Sequence, residues 1–201
     1  MSLHTGRLLL TPDDPLQAPP AESLRAALSQ AAFLGASLPF TGTEPEATAF
    51  APGERFFDFV AFTGCAVKLD GLPDTAGTTS TGGCHLRLHP APRQPRFLHG
   101  RNTRPPRCPA CHKTLPDWST HMAHWSWPEN SALVCPACAN HSDAWHWDWR
   151  GQAGFARLVV SIEEVFPGEA SPLPGLIALL KDASKGLAWH WFLVQDEWPG
   201  G

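Results

Sequence analysis

The sequence predicts an α+β fold: a mixed sheet with covering helices and a cysteine-bearing knuckle inserted between early and late strands. Three observations predict it. The last third reads as apolar strand, amphipathic helix and apolar strand; an amphipathic helix stands near the start; and the middle carries Cys-Pro-Ala-Cys twice, from Cys108 to Cys111 and from Cys135 to Cys138. With 201 residues the chain is long enough to bury a substantial core. We expect residues 1–100 and 150–201 to form the body and residues 101–149 to form the inserted lobe.

Near the start, Leu8-Leu9-Leu10 meets Thr11-Pro12-Asp13-Asp14-Pro15, an apolar run too short for a signal peptide. From Glu22 to Leu34, Leu24, Ala27, Leu28 and Ala31 recur at helical spacing after Pro19-Pro20, which predicts a helix stopped at Gly35. The aromatic and β-branched run from Phe56 to Phe62 predicts a mostly buried strand. Gly77-Thr78-Thr79-Ser80-Thr81-Gly82-Gly83 is glycine-rich like a phosphate-cradling loop. It lacks the Lys-Ser/Thr ending and no helix follows, so it predicts a flexible hairpin connection. Cys84 to His89 alternates as a strand, with His85, Arg87 and His89 on a polar face that we expect to be solvated, opposite Leu86 and Leu88.

Pro90 to Pro106 predicts an extended surface loop rich in proline and arginine. Trp145-His146-Trp147-Asp148-Trp149 alternates as a strand with an aromatic face. Further on, Phe155 to Val165 reads as a central strand. Ser171 suits an N-cap with Pro172 in the first turn, Leu173, Leu176, Ile177 and Leu180 form one apolar stripe, and Lys185-Gly186 closes the helix. Leu187 to Val194 is almost wholly apolar and belongs inside a sheet. The strand, helix and second strand predict a parallel βαβ-like unit.

The two tetrapeptides hold four of the six cysteines. Two thiolates separated by two residues reach one ion from a single turn, and a second pair completes a tetrahedron. That is the geometry of a structural zinc site, and the spacing is that of a zinc ribbon. We therefore assign Cys108, Cys111, Cys135 and Cys138 as metal ligands, with Zn²⁺ preferred over iron. Such a site is closed, because four cysteines leave no position for a reactive water. Three other readings stand beside zinc: a thioredoxin-type redox dithiol, disulfide staples, and rubredoxin-like iron. His112, His121, His124 and His141 lie close enough in sequence to replace a cysteine, but read more simply as surface or packed histidines.

The charge of -4 conceals a segregation: from Thr75 to Pro116 there are seven basic residues and no acidic one. Arg101, Arg104 and Arg107 lead into the first knuckle, where they suit nucleic-acid phosphates, an acidic protein face, or local compensation of a metal–thiolate charge. Six of the nine tryptophans lie between Trp118 and Trp149; among these, Trp118, Trp125 and Trp127 are candidates for partner contact. No run approaches the ~18 apolar residues of a membrane span, and we expect a cytoplasmic protein in which Cys65 and Cys84 are reduced and buried.

The stretches Gly64-Cys65, Cys84-His85-Leu86-Arg87, Gly100-Arg101-Asn102-Thr103-Arg104-Pro105-Pro106-Arg107-Cys108-Pro109, Asp148-Trp149-Arg150 and Glu163 to Ala170 resemble a group of small, uncharacterised proteobacterial proteins. The resemblance implies a bacterial cytoplasmic protein with a zinc ribbon and carries over no catalytic residue. The preferred function is a non-enzymatic zinc-binding module that recognises a protein or a nucleic acid. The alternatives are an enzyme using Glu163, Glu164 or Glu169 at a strand end, and a thiol redox protein. No Gly-x-Ser-x-Gly, His-Glu-x-x-His or dinucleotide fingerprint is found, and the chain has no tyrosine.

Overall fold

The structure, a computed structural model, describes residues 6–39, 47–63, 83–166 and 168–195. Cys65, most of the Gly77–Gly83 stretch and Pro167 lie outside the described residues. The chain begins with β1 (Arg7–Pro12), α1 (Ala21–Gln30), β2 (Leu34–Leu38), β3 (Thr48–Pro52), β4 (Val60–Phe62), β5 (His85–His89) and β6 (Arg96–Leu98). The middle supplies α2 (Trp118–Ala123), β7 (Ala132–Val134) and β8 (His141–Asp143). It ends with β9 (Gly154–Ala156), β10 (Val159–Glu163), β11 (Ala170–Pro172), α3 (Pro174–Ala183) and β12 (Trp189–Val194). This is the expected α+β class.

Six strands form one sheet in the order β12-β1-β10-β5-β3-β2, every neighbour antiparallel. β10 and β12 do run parallel to each other, as the βαβ pattern predicts. They are not neighbours, however, because β1 pairs with both. Leu8-Leu9-Leu10, read from sequence only as too short to be a leader, is thus a central strand buried on both faces.

One face of the sheet meets the helices. Leu8, Leu10, Leu86, Val160 and Ile162 pack against Leu24 and Leu28 of α1 and Leu176 and Leu180 of α3, all at most 1% exposed. Each residue type here is aliphatic and fits a pleated or helical apolar stripe, so this core forms by burial alone. Both helices end in the same way. Ala32 (φ 55°) follows α1, and the Phe33 N–H donates back to the Leu28 carbonyl at 3.0 Å. Lys185 (φ 59°) follows α3, and the Gly186 N–H donates to the Lys181 carbonyl at 2.8 Å. Both are Schellman closures.

Several boundaries differ from the sequence reading. α1 stops at Gln30, because the left-handed turn at Ala32 sends Leu34 and Gly35 into β2. Of the Phe56–Phe62 run, only Val60–Phe62 is strand; Phe56–Asp58 is a short 3-10 turn that stacks Phe56 on Phe33 at 5.5 Å, with Phe59 edge-on at 5.7 Å. The aromatic content reflects a ring cluster, not a pleat. Ser171 and Pro172 lie in β11, and α3 starts after Leu173 with Pro174 in its first turn. Trp145–Trp149 is not a strand: Ala144–His146 is a 3-10 turn, and Asp148 makes an isolated bridge to Arg107.

The other face of the sheet is covered differently. Leu9, Val159, Phe192 and Val194 pack with Ala156, and Leu98 adds to them, so the β6–β9 ribbon lies over this side. The approach is close enough that a Cβ at Gly154 would collide with the Phe192 ring. The same ribbon supplies Phe97 and Phe155 to the core of the cysteine-bearing lobe. The lobe reaches the edge strand β12 through one side chain. Asn102 Nδ2 donates to the Leu193 carbonyl at 2.9 Å, and Asn102 Oδ1 accepts from the Gln195 N–H at 2.8 Å. Arg101 N–H donates to the Gln195 carbonyl and Leu193 N–H to the Gly151 carbonyl, at 3.1 and 3.0 Å. Between them these bonds occupy the outer edge of the strand's end. Gly100 has to be glycine here, since a Cβ would enter the Gln195 carbonyl.

Candidate metal centre

The repeated tetrapeptide folds into a repeated conformation. Cys108 N–H donates to the Lys113 carbonyl at 2.9 Å and His112 N–H donates back to the Cys108 carbonyl at 3.0 Å. Cys135 N–H donates to the Asn140 carbonyl and Ala139 N–H to the Cys135 carbonyl, both at 2.9 Å. His112 and Ala139, each four residues after the first cysteine, take left-handed φ values of 60° and 56°. Identical tight turns thus present each pair of thiols. The Ala110 N–H points at the Cys108 sulfur at 3.4 Å, a donor suited to a thiolate.

The four sulfurs lie within 4.8 Å of one another. Cys108 Sγ is 3.7 Å from Cys138 Sγ, and Cys111 Sγ is 3.6 Å from Cys135 Sγ, so the closest contacts run between the two knuckles. A tetrahedron with metal–sulfur bonds of about 2.3 Å has edges of roughly 3.8 Å. The donor set therefore fits a tetrahedral ion, and among the described residues no histidine or carboxylate joins it. None of the described cysteines is in a disulfide. Burial favours the neutral Cys135 thiol, but the backbone N–H groups of Ala137 and Cys138, with the thiols of Cys111 and Cys138, outweigh it and bring its pKa down to about 7. Four crowded thiols resist full ionisation, and a cation at their centre removes that resistance.

Beneath the sulfurs lies an aromatic core. Cys108 and Cys135 pack with Leu115, Leu133, Trp147, Trp149 and Phe155, all at most 5% exposed. The tryptophans assigned to partner contact are partly buried and engaged in packing. Trp118 lies edge-on to Trp149 at 5.6 Å, Trp125 meets Phe155 at 5.0 Å and donates its N–H to the Ser131 carbonyl, and Trp127 meets Trp145 at 5.2 Å. Arg101, Arg104 and Arg107 are exposed around the first knuckle, with the backbone of Arg107 paired to Asp148. Cys138, Pro109, Ala110, Pro136, Ala137 and the half-exposed Val134 form the outer tip.

A second group of functional side chains lies on the body. β5 faces β10, which brings His85 opposite Glu163 and Arg87 opposite Ser161. The expected solvated polar face is instead largely buried, with His89 and Glu163 at 4% and 5% exposure. Ser161 Oγ donates to the Glu163 carboxylate, and His89 Nε2 lies 2.9 Å from the same hydroxyl and 3.9 Å from Glu163 Oε1. Burial alone would raise the Glu163 pKa, but the His89 ring, the Arg87 and Arg7 guanidinium groups and the Ser161 hydroxyl overcome it and hold the carboxyl down at about 2. Burial also holds His85 below its ordinary value; its Nε2 accepts from Arg87 Nε at 3.1 Å. Burial pushes the neighbouring Cys84 up to about 12, with help from Glu163 and Glu164.

Sequence reasoning noticed both halves of this array separately. The strand register that joins them was not legible, although the matched alternation His-x-Arg-x-His and Ser-x-Glu is a signal for it. Ser161 is wholly buried and already donates to Glu163, so the array suits an ionic cross-strand lock better than nucleophilic chemistry.

No family model matches the chain, and neither a curated protein nor a solved structure matches it. No helix among the described residues is long and apolar enough to cross a membrane.

Proposed function

We propose that this protein is a non-enzymatic zinc-binding module. A structural Cys108–Cys111–Cys135–Cys138 zinc ribbon fixes an aromatic lobe, and the α+β body holds that lobe in place. The observation that carries the reading is the close approach of four sulfurs from two conformationally identical knuckles. Zinc suits it because the ion accepts four thiolates without geometric preference of its own. The reducing bacterial cytoplasm, which the resemblance to small proteobacterial proteins implies, keeps the thiols available. Around this centre, exposed Arg101, Arg104 and Arg107 supply a cationic contact for a protein or nucleic-acid partner, with the partly exposed rims of Trp118, Trp125 and Trp127 beside them.

A native mass spectrum of the protein purified without added metal tests the centre: one zinc per chain supports it, while an iron mass or a mass lowered by disulfides replaces it. Changing Arg101, Arg104 and Arg107 together to Gln tests the contact. The variant is expected to keep its zinc and to unfold within about 0.5 kcal/mol of the parent. Cross-linking to an acidic protein and to single-stranded DNA at low and high salt should fall sharply; unchanged cross-linking would reduce the arginines to local charge compensation.

A further inference from the structure

Solvent reaches the four clustered cysteines unequally. Cys138 is exposed and Cys111 half-buried, whereas Cys108 and Cys135 are buried at 0% and 1% exposure. Each of the two accessible cysteines has a buried neighbour on the opposite knuckle: Cys138 Sγ lies 3.7 Å from Cys108 Sγ, and Cys111 Sγ lies 3.6 Å from Cys135 Sγ. A sulfur–sulfur bond is about 2.05 Å long, so either pair closes by an approach of about 1.6 Å. The two pairs use each cysteine once, and both bonds therefore fit in one molecule.

The backbone suits such a change. Each knuckle is closed by its own main-chain hydrogen bonds, Cys108 with Lys113 and His112 in the first and Cys135 with Asn140 and Ala139 in the second. These turns do not depend on the sulfurs. What an ion adds is the link between the knuckles, and a bond from Cys108 to Cys138 adds the same link covalently. A bond within one Cys-Pro-Ala-Cys does not. Cys84 offers the contrast: it stands outside the cluster at 2% exposure, and burial pushes its thiol up to about 12, so it is a poor target for an oxidant.

We propose that Cys138 is an oxidation site for hydroperoxides, and that the lobe exchanges its ion for two cross-knuckle disulfides, Cys108–Cys138 first and Cys111–Cys135 second. The loss of an ion rests on the metal reading above; the pairing rests on the sulfur positions alone. The Cys138 thiolate attacks the hydroperoxide, an S–O bond forms, and the O–O bond breaks. The leaving alkoxide takes a proton and departs as an alcohol, or as water when the oxidant is hydrogen peroxide. The Cys108 thiolate then attacks the sulfenic sulfur, so that S–S forms, S–O breaks and hydroxide departs as water. The two cysteines lose two electrons and the peroxide oxygens gain them. A second hydroperoxide oxidises Cys111 and Cys135 in the same way, and an ion left without thiolates is released.

Hydrogen peroxide added to the reduced, full-length protein after loading with zinc chloride tests this, with Cys65→Ser so that this thiol, outside the described residues, does not compete. A metallochromic dye follows the ion, and peptide mapping of quenched samples follows the sulfurs. Cys108–Cys138 should form first, the ion should be gone once both disulfides are closed, Cys84 should stay reduced, and tryptophan emission should hold the loaded protein's position. A first disulfide within either tetrapeptide, sulfinic acid without a disulfide, thiols that do not react, or an ion retained by the doubly oxidised chain would overturn the proposal. So would an emission red-shifted as far as that of the reduced protein stripped by chelator. Cys138→His keeps a fourth zinc-binding side chain and removes the entry thiol. Oxidation of the remaining thiols should slow by about 10-fold or more, and an unchanged rate would remove Cys138 as the site. A reduced protein that takes up no ion fails the metal reading, while the peptide map still reports the pairing; one ion taken up followed by the wrong disulfide fails the pairing alone.

Discussion

The body and the lobe reach order by different means. In the body, long strands and two ten-residue helices place aliphatic side chains on both sides of a six-stranded sheet, and burial supplies the driving force. In the lobe, β7 and β8 are three residues each, α2 buries none of its six residues, and the interior combines rings and two of the four cysteines with only a few aliphatic side chains such as Leu115 and Leu133. Short elements close few backbone hydrogen bonds for the residues they fix, so a cross-link must supply what the elements lack. The contrast teaches that one chain can divide its order between an apolar interior and a cluster of four cysteines whose sulfurs fit a single ion.

The comparison breaks most readily at the ion. Cys108→Ser should give the largest effect, release of the metal and loss of the lobe's fixed structure, seen as a red-shifted and weakened tryptophan emission. The far-ultraviolet signature of the body's sheet should persist. A variant that keeps its metal and its emission would show that the lobe does not depend on the ion.

The next effect sharpens the body's side of the contrast. Glu163 is held at about 2 against an ordinary value of 4.5, so its stabilisation is present above about pH 4.5 and is lost as pH falls towards 2. At neutral pH the difference is worth on the order of 3 kcal/mol, since the group is buried. Glu163→Gln should lower stability by that order at pH 7 and flatten the acid limb, with metal content unchanged. Denaturant melts from pH 2 to pH 7 measure both, and an acid limb as steep as the parent's would place the titration elsewhere. The smallest effect lies at the seam. Asn102→Ala removes both bonds to β12 and should cost about 1–2 kcal/mol, read as faster hydrogen exchange at the Gln195 amide.

What could be read from sequence follows the same division. The Cys-Pro-Ala-Cys pair is legible because its chemistry is local: each knuckle is closed by hydrogen bonds within six residues. The Leu173–Leu180 stripe and the Lys185-Gly186 closure are legible because helices write their period into the chain. Leu8-Leu9-Leu10 was not, because a strand buried on both faces shows no alternation, and its partners β10 and β12 lie roughly 150 and 180 residues away. The His89–Ser161–Glu163 array failed for the same reason: each residue is ordinary until the register supplies its neighbour. Trp145–Trp149 misled because rings alternate in a strand and also crowd around a 3-10 turn.

The Asn102 clamp has a consequence beyond its own bonds. The end of β12 is a sheet margin with amides and carbonyls facing outward, and a peptide-like side chain from the lobe's approach occupies them. A bare margin of this kind recruits further chains into growing ribbons. The lobe is therefore also a stopper against self-polymerisation. A chain that lost this cover would be not merely loosened at its seam but sticky.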